Sequence, residues 1–432
     1  MLAGLVEGNF GSVVVAKSFH GGDWLIALAT ATPVAAFLSS LVWGMLCVGR
    51  PKLRLLTLFS AGTALCAGAV GAIPNSELGA IWFIVQMAAA QVLMAGVLTV
   101  RSALWKSNYP ASVRGQVAAR LQRARFVVSV LTSLTAAAVC DRNPNAYQTM
   151  YPVAAGLGIV AVWMIRRLHV RGERSELRVA GRRPSGNGDL RRELVEPFSL
   201  TALLSPGHVL GAMWRVLRED RRYRFYCLAQ FLMGMANLMT ISIVASLITR
   251  ELDFGSAWGF WVSTALLVAI PQLALLGSIG RWGRLFDRVG VLAFRVINVS
   301  VWTGSLVLAM LATLMIVKSE VSGSWQLPCA VVLFAGRGLL AGIGRGGGAL
   351  AWHLGHLHFA RPAEAEIYMG LHVSLTGFRG IVAPLGGMWL WRMMGWPVWL
   401  IAIGLSVASL ALYSAMAKQE RLAQPSGESS QG

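Results

Sequence analysis

Four ionisable side chains stand inside runs that are otherwise apolar: Arg337 and Arg345 between 327 and 350, and His372 and Arg379 between 367 and 389. A charge in such a run is expensive to hold and faces either a cavity or a partner. A guanidinium there has the chemistry to anchor an anionic group. Arg337 lies about ten residues into its run, close to the middle of a membrane-length helix at about 1.5 Å per residue. In the first run, Glu7 has the chemistry of a proton carrier or of an ion-pair partner, with Asn9 two residues on. Gln86, Gln91, Asn237, Gln272 and Asn298 place neutral amides in other runs. Two readings stand side by side. In one, Glu7, Asn9, Asn237, Arg337, His372 and Arg379 line a polar cavity for a small-molecule substrate and for protons. In the other, such residues hydrogen-bond one helix to the next. The neutral amides favour the second reading; Glu7, Arg337 and Arg379 leave both open.

The elements that must carry these residues follow from composition. Of 432 residues, 56% are hydrophobic and only 13% charged, about half the charge of a soluble domain. An ordinary water-soluble enzyme and a disordered chain are both excluded. The formal net charge is +19, from 38 Lys and Arg against 19 Asp and Glu. These charges fall in short blocks between long apolar runs, which is the pattern of basic cytoplasmic loops rather than of a nucleic-acid-binding face.

A helix crossing about 30 Å of hydrocarbon needs about 20 residues. Apolar runs at 2–16, 24–48, 53–73, 78–100, 126–140, 147–165, 225–248, 258–279, 292–317, 327–350, 367–389 and 396–417 predict about twelve transmembrane helices, six on each side of a polar centre. The first run is the weakest, because the chain starts almost inside it; a truncated or misassigned start, or a short first helix, is expected. No cleavable leader is evident. Basic residues gather in alternate connections: Arg50, Lys52 and Arg54; Arg101, Lys106, Arg114 and Arg120; Arg281, Arg284 and Arg288; and Arg361. The opposite connections hold a few cations partly offset by Asp23, Glu77, Asp141, Glu251, Asp253 and Glu320. By the positive-inside rule, both termini and the central segment face the cytoplasm.

The expected organisation is a six-helix bundle over 1–165, a basic linker over 166–224, a second six-helix bundle over 225–417 and a tail over 418–432. The linker carries fourteen Arg, no Lys and seven acidic residues. Its second half places Leu203, Val209, Leu210, Met213, Trp214 and Leu217 at helical spacing beside Arg215, Arg218, Arg221 and Arg222. Such a segment suits an amphipathic helix lying on anionic lipid headgroups, with a partner-binding role as the alternative.

One short sequence carries a mechanical function. After the eighth run comes Gly283-Arg284-Leu285-Phe286-Asp287-Arg288-Val289-Gly290. Gly283 would let helices approach closely and Gly290 would permit a tight reversal. Asp287 would accept hydrogen bonds at a neighbouring helix N-terminus, where the dipole favours an anion. This G-x-x-x-D-R-x-G stretch resembles the loop of the major facilitator superfamily, between the second and third helices of a six-helix half. The matching place in the first half, Gly44 to Lys52, keeps glycine and basic residues but has no Asp. Asn108-Tyr109-Pro110 with Arg114-Gly115, and the stretches Ala351 to Ala360 and Tyr368 to Gly380, are similar to a bacterial branch of that superfamily.

The resemblance implies two all-α bundles around a central cavity, a secondary transporter working by alternating access, and Gly283, Asp287, Arg288 and Gly290 as a conformational latch. It does not reach a substrate. A transporter-like scaffold or sensor without transport is the alternative. Nucleotide loops, zinc-protease motifs and nucleophile elbows are absent from the sequence, so no enzyme activity and no cofactor are expected, and uphill transport would draw on an ion or solute gradient. The five cysteines read as small buried hydrophobes. His353, His356 and His358 read as headgroup-level polar residues, with a weak metal site as the alternative. The glycines of the tenth run suit either close packing or bending.

Overall fold

Capping residues and prolines decide where the helices begin. A computed structural model describes residues 2–6, 9–40, 42–43, 50–108, 111–168, 214–252, 255–317, 325–359 and 365–423. The first half holds α1 (Leu2–Val6), α2 (Phe10–Lys17), α3 (Asp23–Ala35), α4 (Lys52–Ala69), α5 (Glu77–Asn108), α6 (Ala111–Arg142) and α7 (Tyr147–Ile165). The second half holds α8 (Arg221–Ser246), α9 (Gly255–Thr264), α10 (Ile270–Val317), α11 (Gln326–Leu354), α12 (Ala365–Met394) and α13 (Val398–Ala423). Pro51 precedes α4 with its φ already set, and Asn143 caps the short 3₁₀ turn before α7 by accepting the Asn145 N–H at 3.0 Å. No strand occurs among the described residues, as expected where hydrocarbon leaves the backbone no partner but its own helix.

Eight described stretches are long and apolar enough to cross a bilayer. The longest, 60 residues from Trp258 to Val317, is two crossings. Gly290 takes φ 74°, ψ 170° inside α10, a conformation that costs other residues dearly. The Trp282 and Phe294 rings meet at 5.1 Å although twelve residues separate them. On a straight helix they would stand about 18 Å apart, so the chain reverses between them. With that reversal, the described elements are consistent with twelve crossings in an all-α membrane fold.

Several boundaries differ from the sequence expectation, each for a physical reason. In the first run the described residues are helical over Leu2–Val6 and Phe10–Lys17, with Asn9 in a turn just before the second helix. Arg101, Lys106, Arg114 and Arg120 stand on α5 and α6 rather than in a loop. Hydropathy ends with the hydrocarbon, but Arg, Lys, Ala and Gln are good helix formers that carry the helix beyond it. α8 starts at Arg221, before the expected Phe225, because the Asp220 carboxylate accepts the Tyr223 N–H at 2.8 Å and caps it there. Of the basic linker, residues 214–219 are helical, with Val216 and Leu217 packed on the second half and Trp214, Arg215 and Arg218 exposed; residues 169–213 lie outside the described part, as does the tail beyond 423.

Lipid tails are as apolar as Leu, so these helices are held by close packing and hydrogen bonds rather than by hydrophobic segregation. Small residues supply the closeness. A Cβ at Gly342 would fall on the Pro271 carbonyl, and one at Gly387 on the Met239 backbone. Gly344 rests against the Trp302 indole and Gly347 against Trp282, so α11 lies in the groove between the two limbs of α10. The two halves meet where Gly380 of α12 lets α3 approach at Val34 and Gly377 admits Leu38 of the 3₁₀ turn Ala36–Leu38 that follows α3. The described cysteines are free, with Cys140 and Cys227 buried.

Asp220 joins two helix starts at once: besides capping α8, its Oδ2 accepts the Tyr368 hydroxyl of α12 at 2.9 Å, and Tyr223 donates to the Tyr368 carbonyl at 2.7 Å. Asp220→Ala removes the cap and the acceptor that Asp220 offers the Tyr368 hydroxyl, with an expected loss of about 2 kcal/mol. Tryptophan-fluorescence melting of the purified protein checks this, with Asp220→Asn, which keeps a capping oxygen, falling between the two.

Candidate functional site

α8, α11 and α12 bring buried polar groups together in the second half. On α12, a register of three and four residues puts His372, Thr376 and Arg379 on one face. The Arg379 guanidinium donates through Nη1 to the Gln230 carbonyl at 2.7 Å and through Nη2 to the Thr376 hydroxyl at 3.1 Å. His372 Nε2 lies 3.0 Å from the Gln230 side-chain amide nitrogen, and the Trp352 ring stands 5.5 Å from the imidazole. His372 and Arg379 are 3% and 8% exposed. Gly234 has no side chain because one would strike the Arg379 guanidinium. Two atoms in this network are buried without a hydrogen bond, Gln230 Oε1 and Arg379 Nε.

The other expected cavity residues are distributed differently. Arg337 lies on α11 at 6% exposure, with Arg345 two turns on. Asn237 lies on α8 with its Oδ1 buried and unbonded. Asn9 sits in the turn just before α2, where its carbonyl accepts the Ser12 hydroxyl at 2.7 Å. Glu7 lies outside the described residues. Of the neutral amides, Gln91 donates to the Val6 carbonyl at 3.0 Å and Asn298 to the Gly344 carbonyl at 2.8 Å, which is helix-to-helix bonding. Two cavities, of about 240 Å³ beside Leu2, Thr63 and Leu157 and about 570 Å³ beside Arg221, Phe225 and Glu420, are lined by none of the six expected residues.

At the Gly290 reversal, Asp287 and Arg288 are exposed, and Asp287 makes no hydrogen bond among the described residues. Open space surrounds the position where Gly283 would bear a Cβ, so close helix approach is not what its smallness serves. The first-half counterpart, 44–49, lies outside the described residues. His358 pairs with Glu420 at 2.9 Å. The side chains of His353 and His356 are outside the described set, within which no cluster of three metal-ligating residues occurs.

Sequence reasoning missed what joins the halves at the opposite end of the bundle. Asp141, at the end of α6, takes the backbone N–H groups of Phe260 and Trp261 at 2.7 and 3.0 Å, one on each oxygen. Asp23, in the first turn of α3, accepts the Ser246 hydroxyl at 2.6 Å and Arg250 Nη1 at 2.8 Å. The Lys17 ammonium lies over Gly259. Arg250 stands in a π turn, Leu247–Glu251, and a second π turn, Ala265–Ala269, follows α9. Such turns are rare and interrupt the regular helix at positions under functional constraint. The signal available beforehand was two carboxylates at helix ends on the less basic side.

Gly234→Ala forces Arg379 away from the Gln230 carbonyl, with an expected loss of about 2 kcal/mol. The control is Gly277→Ala, where nothing lies within 4 Å; melting temperatures of the two variants separate the close approach from the general effect of alanine in a helix.

The family model described as Major Facilitator Superfamily matches residues 1–384. No curated protein sequence matches the chain. Among solved structures, an aspartate-to-alanine mutant of the nucleoside transporter NupG superposes with a TM-score of 0.66 at 15% identity, covering 96% of each chain. A D-xylose-proton symporter gives 0.63 at 10% identity over 95% of each chain. The xylose transporter XylE from E. coli, in a partially occluded inward-open conformation, gives 0.59 at 12% identity over 96% of this chain and 95% of that one. These likenesses carry the fold. The chain belongs to the major facilitator superfamily.

Proposed function

We propose that the protein is a secondary active transporter that moves a small solute across a bacterial inner membrane by alternating access, its two halves rocking about a mid-membrane site. The observation that carries this reading is the unequal engagement of the two ends. At one end Asp23 and Asp141 bind the halves together; at the other, Asp287 is exposed and unbonded among the described residues. A protein with one end closed and the opposing latch released is in one of the two states that alternating access requires. The basic residues Arg281, Arg284 and Arg288 at the latch end support a cytoplasmic side there, with both termini in the cytoplasm. A proton is the proposed driving ion, with Glu7 as carrier and His372 as the second titratable group.

Each contact at the closed end is worth only about 1 kcal/mol where it is part-exposed, which suits an interface that must open in every cycle. Replacing Asp23 and Asp141 together by Asn weakens it. The expected result, in a background lacking the native cysteines, is severalfold faster maleimide labelling of a Ser263→Cys reporter, which is buried beside the closed interface; an unchanged rate removes these carboxylates from the gate. In liposomes, flux should follow an imposed pH gradient and lose that response in Glu7→Gln, whereas indifferent flux dismisses proton coupling. If no flux of any solute is found, the scaffold reading replaces this one.

A further inference from the structure

Charge inside the second half is unbalanced. Every described Asp and Glu stands in the first or last turn of a helix, beside the Gly290 reversal or just before α8. Arg295, Arg337, Arg345 and Arg379 stand within the helices, well away from those ends. Two of the four have internal partners. Arg295 donates to the Tyr413 hydroxyl at 3.2 Å, with its guanidinium 5.2 and 5.8 Å from the Tyr413 and Tyr226 ring centres. Arg379 is held by Gln230 and Thr376. It was an expected anchor for an anionic group; the structure employs it in fastening α8 to α12.

Arg337 and Arg345 have no hydrogen bond, ion pair or aromatic face among the described residues. They share one side of α11, and the other sides are accounted for. Gly338, Gly342 and Gly346 lie against Ile270, Pro271 and Ser278 of the limb of α10 before the reversal; Gly336, Gly344 and Gly347 lie against Leu308, Trp302 and Asn298 of the limb after it. Val332 and Leu339, 69% and 49% exposed, mark the lipid-facing side. At 100° per residue, Arg337, Ala341 and Arg345 occupy the side opposite Val332 and Leu339. Both guanidiniums are thus turned away from lipid and lack a counter-charge.

We infer that Arg337 and Arg345 are the recognition pair for an anionic solute, one bearing a carboxylate or phosphate group, which supplies the missing counter-charge; this rests on the transporter reading above. Guanidinium forks match carboxylate and phosphate oxygens two at a time. The two residues are eight apart on one helix, about 12 Å along its axis, so an extended anion can engage both, while a compact one passes from the first to the second. Arg345 takes the role that the sequence had offered to Arg379.

The test uses the purified full-length protein at constant ionic strength. Thermal unfolding is followed while inorganic phosphate, succinate and a hexose phosphate are titrated, with glycerol and the parent hexose as neutral probes. The expected result is a saturable rise in melting temperature with at least one anion and none with the neutral probes. In Arg337→Gln and Arg345→Gln the half-saturating concentration should rise at least tenfold. Arg392→Gln, altered at an exposed site outside the latch, should behave as the unmodified chain. A misfolded variant is told apart by the unliganded protein: removing a charge that has no partner among the described residues should leave its melting temperature equal or higher, whereas a structural arginine would lower it. Failure of every anion to stabilise, or stabilisation that survives both substitutions, overturns the inference. Flux of a neutral solute unaffected by either substitution also overturns it and leaves the transporter standing; anion binding lost in both variants, but with no anion flux, upholds the pair and removes the transporter reading alone.

Discussion

A polar group inside hydrocarbon has no water to fall back on, and that constraint sorts this molecule residue by residue. Backbone groups meet it by staying helical, even through the basic extensions of α5 and α6. Amides meet it by bridging to a neighbour's carbonyl, as Gln91 does to Val6 and Asn298 to Gly344. Arginines meet it in graded fashion: Arg295 finds tyrosine, Arg379 finds a carbonyl and a hydroxyl, and Arg337 and Arg345 find nothing described. Where the requirement is met internally, the residue builds the fold. Where it is left unmet on a side turned from lipid, the residue is free to meet something that arrives.

Packing obeys a second consequence of the same solvent. Apolar side chains gain little by leaving lipid for one another, so stability comes from how near the backbones can come. The glycines of α11 show this directly. A methyl group at Gly342 or Gly347 would meet Pro271 or Trp282, which ties α11 into the α10 hairpin as one body. The density of glycine in that helix is thereby explained by closeness, without any need for bending. At Gly377 and Gly380 the same device joins α12 to α3 and the 3₁₀ turn after it in the other half, where Val34 and Leu38 pack against the glycines.

Much of this was legible in residue order. Hydropathy located the crossings, and Gly290 marked a reversal that the ring contact of Trp282 with Phe294 makes geometric. The misses share a cause. Asp23 and Asp141 read as minor offsets in a count of loop charge, because nothing in a local pattern reveals partners such as Ser246 or Phe260, over a hundred residues away. Arg379 stayed open between an anchor and a helix-to-helix bond for the same reason: its acceptor is a backbone carbonyl on α8, and a carbonyl has no sequence signature. Gly283 read as a packing glycine from its motif, while its surroundings are open. Periodicity reports which face a residue shares; it does not report what waits opposite that face.

The placement of charge at the two ends then bears on how the molecule moves. A carboxylate that binds backbone N–H groups, as Asp141 does, needs no particular side chain on the other half, only a helix presented at the right angle. Asp23 takes a hydroxyl and a guanidinium on a π turn, whose irregular winding sets where Arg250 points. Both attachments depend on the orientation of whole helices rather than on interdigitated side chains. A rigid rotation of one half therefore breaks them together and leaves each bundle's internal glycine contacts intact. Under the alternating-access proposal, motion would fall on the surfaces where polar contacts are part-exposed and weak, and would spare the backbone-to-backbone contacts of α10 with α11 that any bending would have to pull apart.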